Sequence, residues 1–102
     1  MHLVQVLLPV YDNAGQLFSG VEYARVRNEL TDRFGGATAY TRAPAQGSWE
    51  DDKGRVHHDD VVVIEVMVES LDRAWWSAYR RELADRFRQV ELVIRATAME
   101  SL

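Results

Sequence analysis

The run VVVIEVMV, Val61–Val68, limits how this chain folds more than any other stretch. β-branched residues lose rotamer freedom in a helix and pack well on a pleated surface, so four in succession specify a strand. Side chains alternate between the two faces of a strand. Val62, Ile64, Val66 and Val68 form one face, and Val61, Val63, Glu65 and Met67 the other. A strand that is apolar on both faces needs something packed on each side. HLVQVLL at residues 2–8 repeats the pattern, with Val4, Val6 and Leu8 against Leu3, Gln5 and Leu7. In residues 90–97, Val90, Leu92 and Ile94 form one set and Glu91, Val93 and Arg95 the other.

Two helices fall between these strands. Pro9 ends the first strand, and Asp12-Asn13-Ala14-Gly15 supplies turn chemistry. Ser19 then opens a helix with Glu22 three residues on, a capping-box spacing. Tyr23, Val26, Leu30 and Phe34 share its inner face, and Gly35-Gly36 stops it. Glu29 and Arg33 are expected to pair on its wet side. Thr38–Arg42 reads as a short second strand ended by Ala43-Pro44. Residues 47–58 read as a hairpin around Asp52-Lys53-Gly54. Ser70 or Asp72 caps the second helix. Its expected inward stripe is Trp75, Tyr79, Leu83 and Phe87, with Trp76 at the edge and Arg81–Asp85 and Glu82–Arg86 pairs outside.

The resulting order is β-α-β-β-α-β with a hairpin arm inserted before the third strand. Right-handed crossovers then favour one solution. It is an α+β, ferredoxin-like sandwich, a four-stranded antiparallel sheet in spatial order 4-1-3-2 with two helices on one face. With 102 residues the chain is read as a single domain spanning 1–102, the arm occupying about 47–58. The net charge of −4 argues against nucleic acid, whose phosphates need a basic face. The strands also lack the stacked aromatics of an RNA-binding sheet. There is no cysteine, which removes disulfides and thiol chemistry. MHLVQVLLPVYD lacks a basic, signal-like start, and no apolar run approaches membrane length. A cytoplasmic protein with no membrane partner is expected.

The stretch GSWEDDKGRVHHDDVVVIEV, residues 47 to 66, invites a metal-site reading. Adjacent strand residues point apart, so His57 and His58 cannot grip one ion together. Hairpin register sets Trp49 opposite His57 and Ser48 opposite His58, and neither is a strong third ligand. No metal and no cofactor are expected, and Asp51-Asp52 reads as turn and edge protection. No serine has the context of a nucleophile, and no phosphate-binding glycine loop is present.

The second sheet face is too apolar for water. A second copy of the chain, packed sheet to sheet, or the 47–58 arm would cover it. Either cover encloses Gln5, Tyr40, Glu65 and Arg95 among aliphatic residues, a composition that suits a small-molecule pocket. Within an interface, Glu65 and Arg95 would instead simply neutralise each other. The strand order and the doubly apolar sheet resemble the dimeric α+β barrel superfamily. The pattern Phe34-Gly35-Gly36, Gly47-x-Trp49, Gly54-Arg55-Val56 and Phe87-Arg88-Gln89 is similar to a small bacterial family of unknown function. The resemblance implies a fold and no activity; a homodimer is expected from the apolar second face. Haem-degrading members of the superfamily need a helical histidine, and neither helix here has one. The expected function is binding of a small apolar or aromatic compound in the sheet-face cavity. Alternatives are a non-catalytic binding or regulatory module and a cofactor-free monooxygenase-like enzyme. In a catalytic version Glu65 or His57 would accept a proton and Arg95 would stabilise an anion. The residues alone do not decide between catalysis and binding.

Overall fold

The structure, a computed structural model, describes the backbone of residues 1–42, 48–50, 56–58 and 61–102, and side chains outside residues 39–60. The elements run β1 (His2–Pro9), α1 (Gly20–Phe34), β2 (Thr38–Arg42), β3 (Ser48–Glu50), β4 (Val56–His58), β5 (Val61–Val68), α2 (Arg73–Arg86) and β6 (Val93–Ala98). This is an α+β chain with two helices and an antiparallel sheet. The sheet order is β2-β5-β1-β6, which is the expected 4-1-3-2 once the arm strands are set aside. The doubly apolar strands β1 and β5 are the two interior strands, paired from His2↔Val68 to Pro9↔Val61. Strands β3 and β4 form a separate ladder with Trp49 opposite His57 and Ser48 opposite His58, as the hairpin register predicts. The tip at Asp52-Lys53-Gly54 lies outside the described residues.

The even-numbered sheet face carries the core. Val4, Val6, Leu8, Val62, Ile64, Val66 and Val68 are buried together with Val26 and Leu30 of α1 and Trp76, Tyr79 and Leu83 of α2. Both helices therefore cover the same face. Each fully buried aliphatic side chain contributes roughly 1.5–3 kcal/mol. Phe87, fully buried after α2, packs edge-on to Phe18 at 5.1 Å and stacks on Tyr23 at 5.9 Å.

The caps follow the sequence. The Ser19 hydroxyl accepts the Val21 N–H at 3.3 Å, and the Asp72 carboxylate accepts the Trp75 N–H at 3.0 Å. Gly35 ends α1 with φ at 88°, a left-handed position that suits glycine. At Asp12 the carboxylate accepts from Ala14 and Gln16, both at 2.9 Å, and fixes the predicted turn.

Four details differ from the sequence expectation. Trp76, at 7% exposure, is the buried member of the tryptophan pair, and Trp75 is half-buried. The inward stripe of α2 is Trp76-Tyr79-Leu83, spaced three and then four, which keeps to one face better than a strict spacing of four. Trp75 instead stacks on Tyr79 and carries the Arg33 guanidinium over its ring at 4.2 Å. Arg33 is thereby drawn away from Glu29, which pairs across the helix interface with Arg86 at 2.6 and 3.1 Å. Arg86 also keeps its expected partner Glu82 at 3.0 Å, whereas Arg81 donates to the Ser77 hydroxyl at 3.1 Å. Finally, the last strand begins at Val93, and Val90 is fully exposed in the preceding loop. Arg88, with φ at 53°, turns the chain there, and its carbonyl accepts the Asn13 side-chain amide at 3.1 Å.

Candidate functional site

The odd-numbered sheet face, opposite the helices, brings three of the predicted polar residues into one row. Gln5 on β1 lies opposite Glu65 on β5 and opposite Arg95 on β6, and Thr38 on β2 completes the row beside Glu65. The Gln5 amide nitrogen donates to Glu65 Oε2 at 2.8 Å, and the Gln5 carbonyl accepts from Arg95 Nε at 2.8 Å. The cation on one side and the carboxylate on the other dictate the orientation of this amide. A flip would set NH2 against guanidinium and C=O against carboxylate.

This geometry differs from mutual neutralisation of Glu65 and Arg95. They stand on either side of β1, two strand spacings of about 4.8 Å apart, and Gln5 occupies the space between them. Among the described residues no ion pair joins them. Tyr40 sits at the register position opposite Val63, and His57 is placed in β4 of the arm. Their side chains lie outside the described residues.

Next to Glu65 the outer face opens into a cleft of about 580 Å³, within the range of ligand pockets. Its existence follows from register. β2 begins at Thr38, opposite Glu65, so Val66, Met67 and Val68 have no β2 partner. Residues 34–37, leaving the end of α1, run past this unpaired stretch instead. The cleft is bounded by the sheet residues Leu3, Glu65 and Met67 and by Phe34, Gly36 and Thr38. The helix-stop segment was read from sequence only as punctuation. Its role as a cleft wall was encoded by the gap of two residues, Gly36 and Ala37, between the αL glycine and the strand. A smaller cleft of about 190 Å³, lined among others by Arg73, Trp76 and Arg95, lies between the start of α2 and β6.

The outer face is unevenly covered. Val63 is fully buried yet is not a member of the core cluster, so atoms of this same chain cover the face at that point. Leu3, Leu7 and Val61 are half-buried, whereas Met67 and Val93 remain 55% and 52% exposed. The expectation that all six are covered thus holds for Val63 and not, within one chain, for Met67 or Val93.

A second cluster of titratable groups lies between the helices, where Tyr79 donates to Glu29 Oε1 at 3.1 Å beside the Arg86 pair. The Arg86 hydrogen bonds hold the Glu29 carboxyl below its usual range against the opposing effect of burial. Burial, reinforced by Glu29, pushes the Tyr79 phenol well up. Glu29, Tyr79 and Arg86 are all partnered, and the two clefts described above do not include them, so the cluster serves as a clamp between α1 and α2. Among the described residues no group of three potential metal ligands occurs, and no helix is long and apolar enough to cross a membrane.

No known protein family and no curated protein matches the chain. A solved structure is similar in fold, a phage SAM lyase in complex with S-methyl-5′-thioadenosine. The TM-score is 0.63 at 13% identity, over 94% of this chain and 79% of the other. At that identity the likeness is one of fold.

Proposed function

We propose that this chain is a single ferredoxin-like domain that forms a homodimer through the outer sheet face and binds a small apolar or aromatic molecule in the cleft beside Glu65. The observation that carries this reading is the row Arg95–Gln5–Glu65 set in an otherwise aliphatic sheet face, with a ligand-sized cleft opening at its acidic end. A few fixed polar groups amid apolar walls orient a ligand, while the walls supply most of the binding energy. Met67 and Val93 leave apolar surface that a second copy would cover. The fold likeness to a phage SAM lyase makes nucleoside thioethers the first compounds to test.

Phe34, a wall of the cleft, stacks on Trp76 at 5.2 Å and meets Trp75 edge-on at 5.3 Å, so intrinsic fluorescence reports on occupancy. Titration with S-methyl-5′-thioadenosine is expected to change tryptophan emission saturably. A Cβ at Gly36 meets nothing within 4 Å and the residue lines the cleft, so Gly36→Leu adds apolar bulk at the cleft wall. That variant should lose the response at an unchanged melting temperature. An undiminished response in Gly36→Leu, or none in the wild type at millimolar ligand, would refute the cleft as the site.

A further inference from the structure

We infer that the cleft beside Glu65 selects a cationic ligand, an organic molecule carrying a positive centre on an apolar or aromatic body, and that Gln5 is the positioning residue that aims the Glu65 carboxylate at it. The inference rests on the cleft reading and adds the charge of the ligand and the reason for it.

Two observations set the charge of the cleft. Glu65 is the only charged side chain among its described lining residues. The one cation in the polar row, Arg95, reaches Gln5 rather than Glu65 and so does not neutralise the carboxylate. Gln5 donates to Oε2 of Glu65 alone, and no described donor reaches Oε1. The row therefore supplies a carboxylate that Gln5 fixes through one oxygen, at the wall of the cleft. The opposite end of the same amide is fixed by Arg95.

The cleft is also lined by Leu3, Met67 and Phe34, aliphatic, thioether and aromatic side chains that accept the body of a ligand. A bare metal ion would find one carboxylate there, too few oxygen ligands for calcium or magnesium. An anion would meet the Glu65 carboxylate. A soft organic cation meets a carboxylate at one point and polarisable surface elsewhere.

SAM and its demethylated counterpart test this cleanly, because the two differ by one methyl group and by the positive charge on sulfur. Both would be titrated into the wild type, Glu65→Gln and Gln5→Leu by calorimetry, with melting temperatures as folding controls. The wild type is expected to bind SAM about ten- to a hundredfold more tightly than the uncharged-sulfur compound, the usual worth of a charge-assisted contact. Glu65→Gln should abolish that preference and leave affinity for the uncharged-sulfur compound within about threefold. Gln5→Leu should reduce the preference while the carboxylate is retained. Should either variant fail to fold, salt dependence of the wild type serves instead. The preference should shrink between about 50 mM and 500 mM salt as screening length falls. Equal wild-type affinity for the two compounds, insensitive to salt and to Glu65→Gln, would overturn the charge selection and leave the small-molecule site standing. Failure of both compounds to bind would overturn the site and the charge selection together.

Discussion

The exposure pattern of the outer face separates a homodimer from a self-covered chain through two substitutions, Met67→Asp and Val93→Asp. Both side chains are about half exposed within one chain, at 55% and 52%. Each forfeits at most about 1.5 kcal/mol of burial in a monomer, half of the upper value for a buried side chain. In a two-fold dimer that closes over this face the same aspartate is introduced twice, once in each protomer. Each new carboxylate is desolvated opposite aliphatic surface, at a penalty of several kcal/mol. A combined loss of about 5 kcal/mol or more raises the dimer Kd over a thousandfold. Light scattering across a concentration series is the assay. The wild type should show twice the chain mass of 11.7 kDa, and either variant should show the chain mass while keeping a melting transition. Val63→Asp does not discriminate, because Val63 is already fully buried in the single chain and a charge there destabilises any assembly. A wild type that stays at 11.7 kDa throughout, or variants that dimerise with unchanged Kd, would refute the second copy as the cover.

Two further outcomes concern the helices. Glu29→Gln should cost about 1–2 kcal/mol near neutral pH, the value of a charged hydrogen bond discounted for a carboxylate that is 36% exposed. Because the folded carboxyl titrates below its ordinary value, the wild-type advantage is complete above the ordinary carboxylate pKa and fades as pH falls through the lowered one. Melting curves of both proteins should converge in acid, and a gap that widens there would contradict the clamp. Trp76→Ala should cost roughly 3–5 kcal/mol as a core cavity, and Trp75→Ala clearly less, since its ring lies half in solvent under Arg33. Equal shifts of the urea midpoint in the two variants would contradict the assigned stripe.

The fold was legible because several signals agreed on each element. VVVIEVMV could be only a strand, Ser19 and Asp72 supplied side-chain acceptors where helices begin, and Gly35 supplied the positive φ where one ends. Errors arose where a local rule competed with a tertiary contact. The Glu29–Arg33 spacing is favourable on an isolated helix, worth about 0.2–0.5 kcal/mol, and loses to a bidentate partner on the other helix plus a tyrosine hydroxyl. Val90 fits the alternation of the last strand, yet the left-handed Arg88 spends those residues on a turn. Spacing four from Trp75 describes α2 less well than three-then-four from Trp76, and a run of two tryptophans cannot by itself say which is inward.

The candidate site was legible as a set of residues and not as an arrangement. Alternation places Gln5, Glu65 and Arg95 on the outer face, because each is odd-numbered in its strand. Whether they meet depends on register, which long-range pairing sets and which no local pattern in β1 or β6 encodes. A slip of two residues between β1 and β6 would preserve every facing preference and still put Arg95 beside Leu3 or Leu7 instead of Gln5. The observed register places the amide between the two charges, an arrangement different from a directly neutralised pair. A carboxylate paired directly with Arg95 would have little left to offer a ligand. The Glu65 carboxylate accepts from an amide rather than from the guanidinium, and the late start of β2 at Thr38 leaves a cleft beside it.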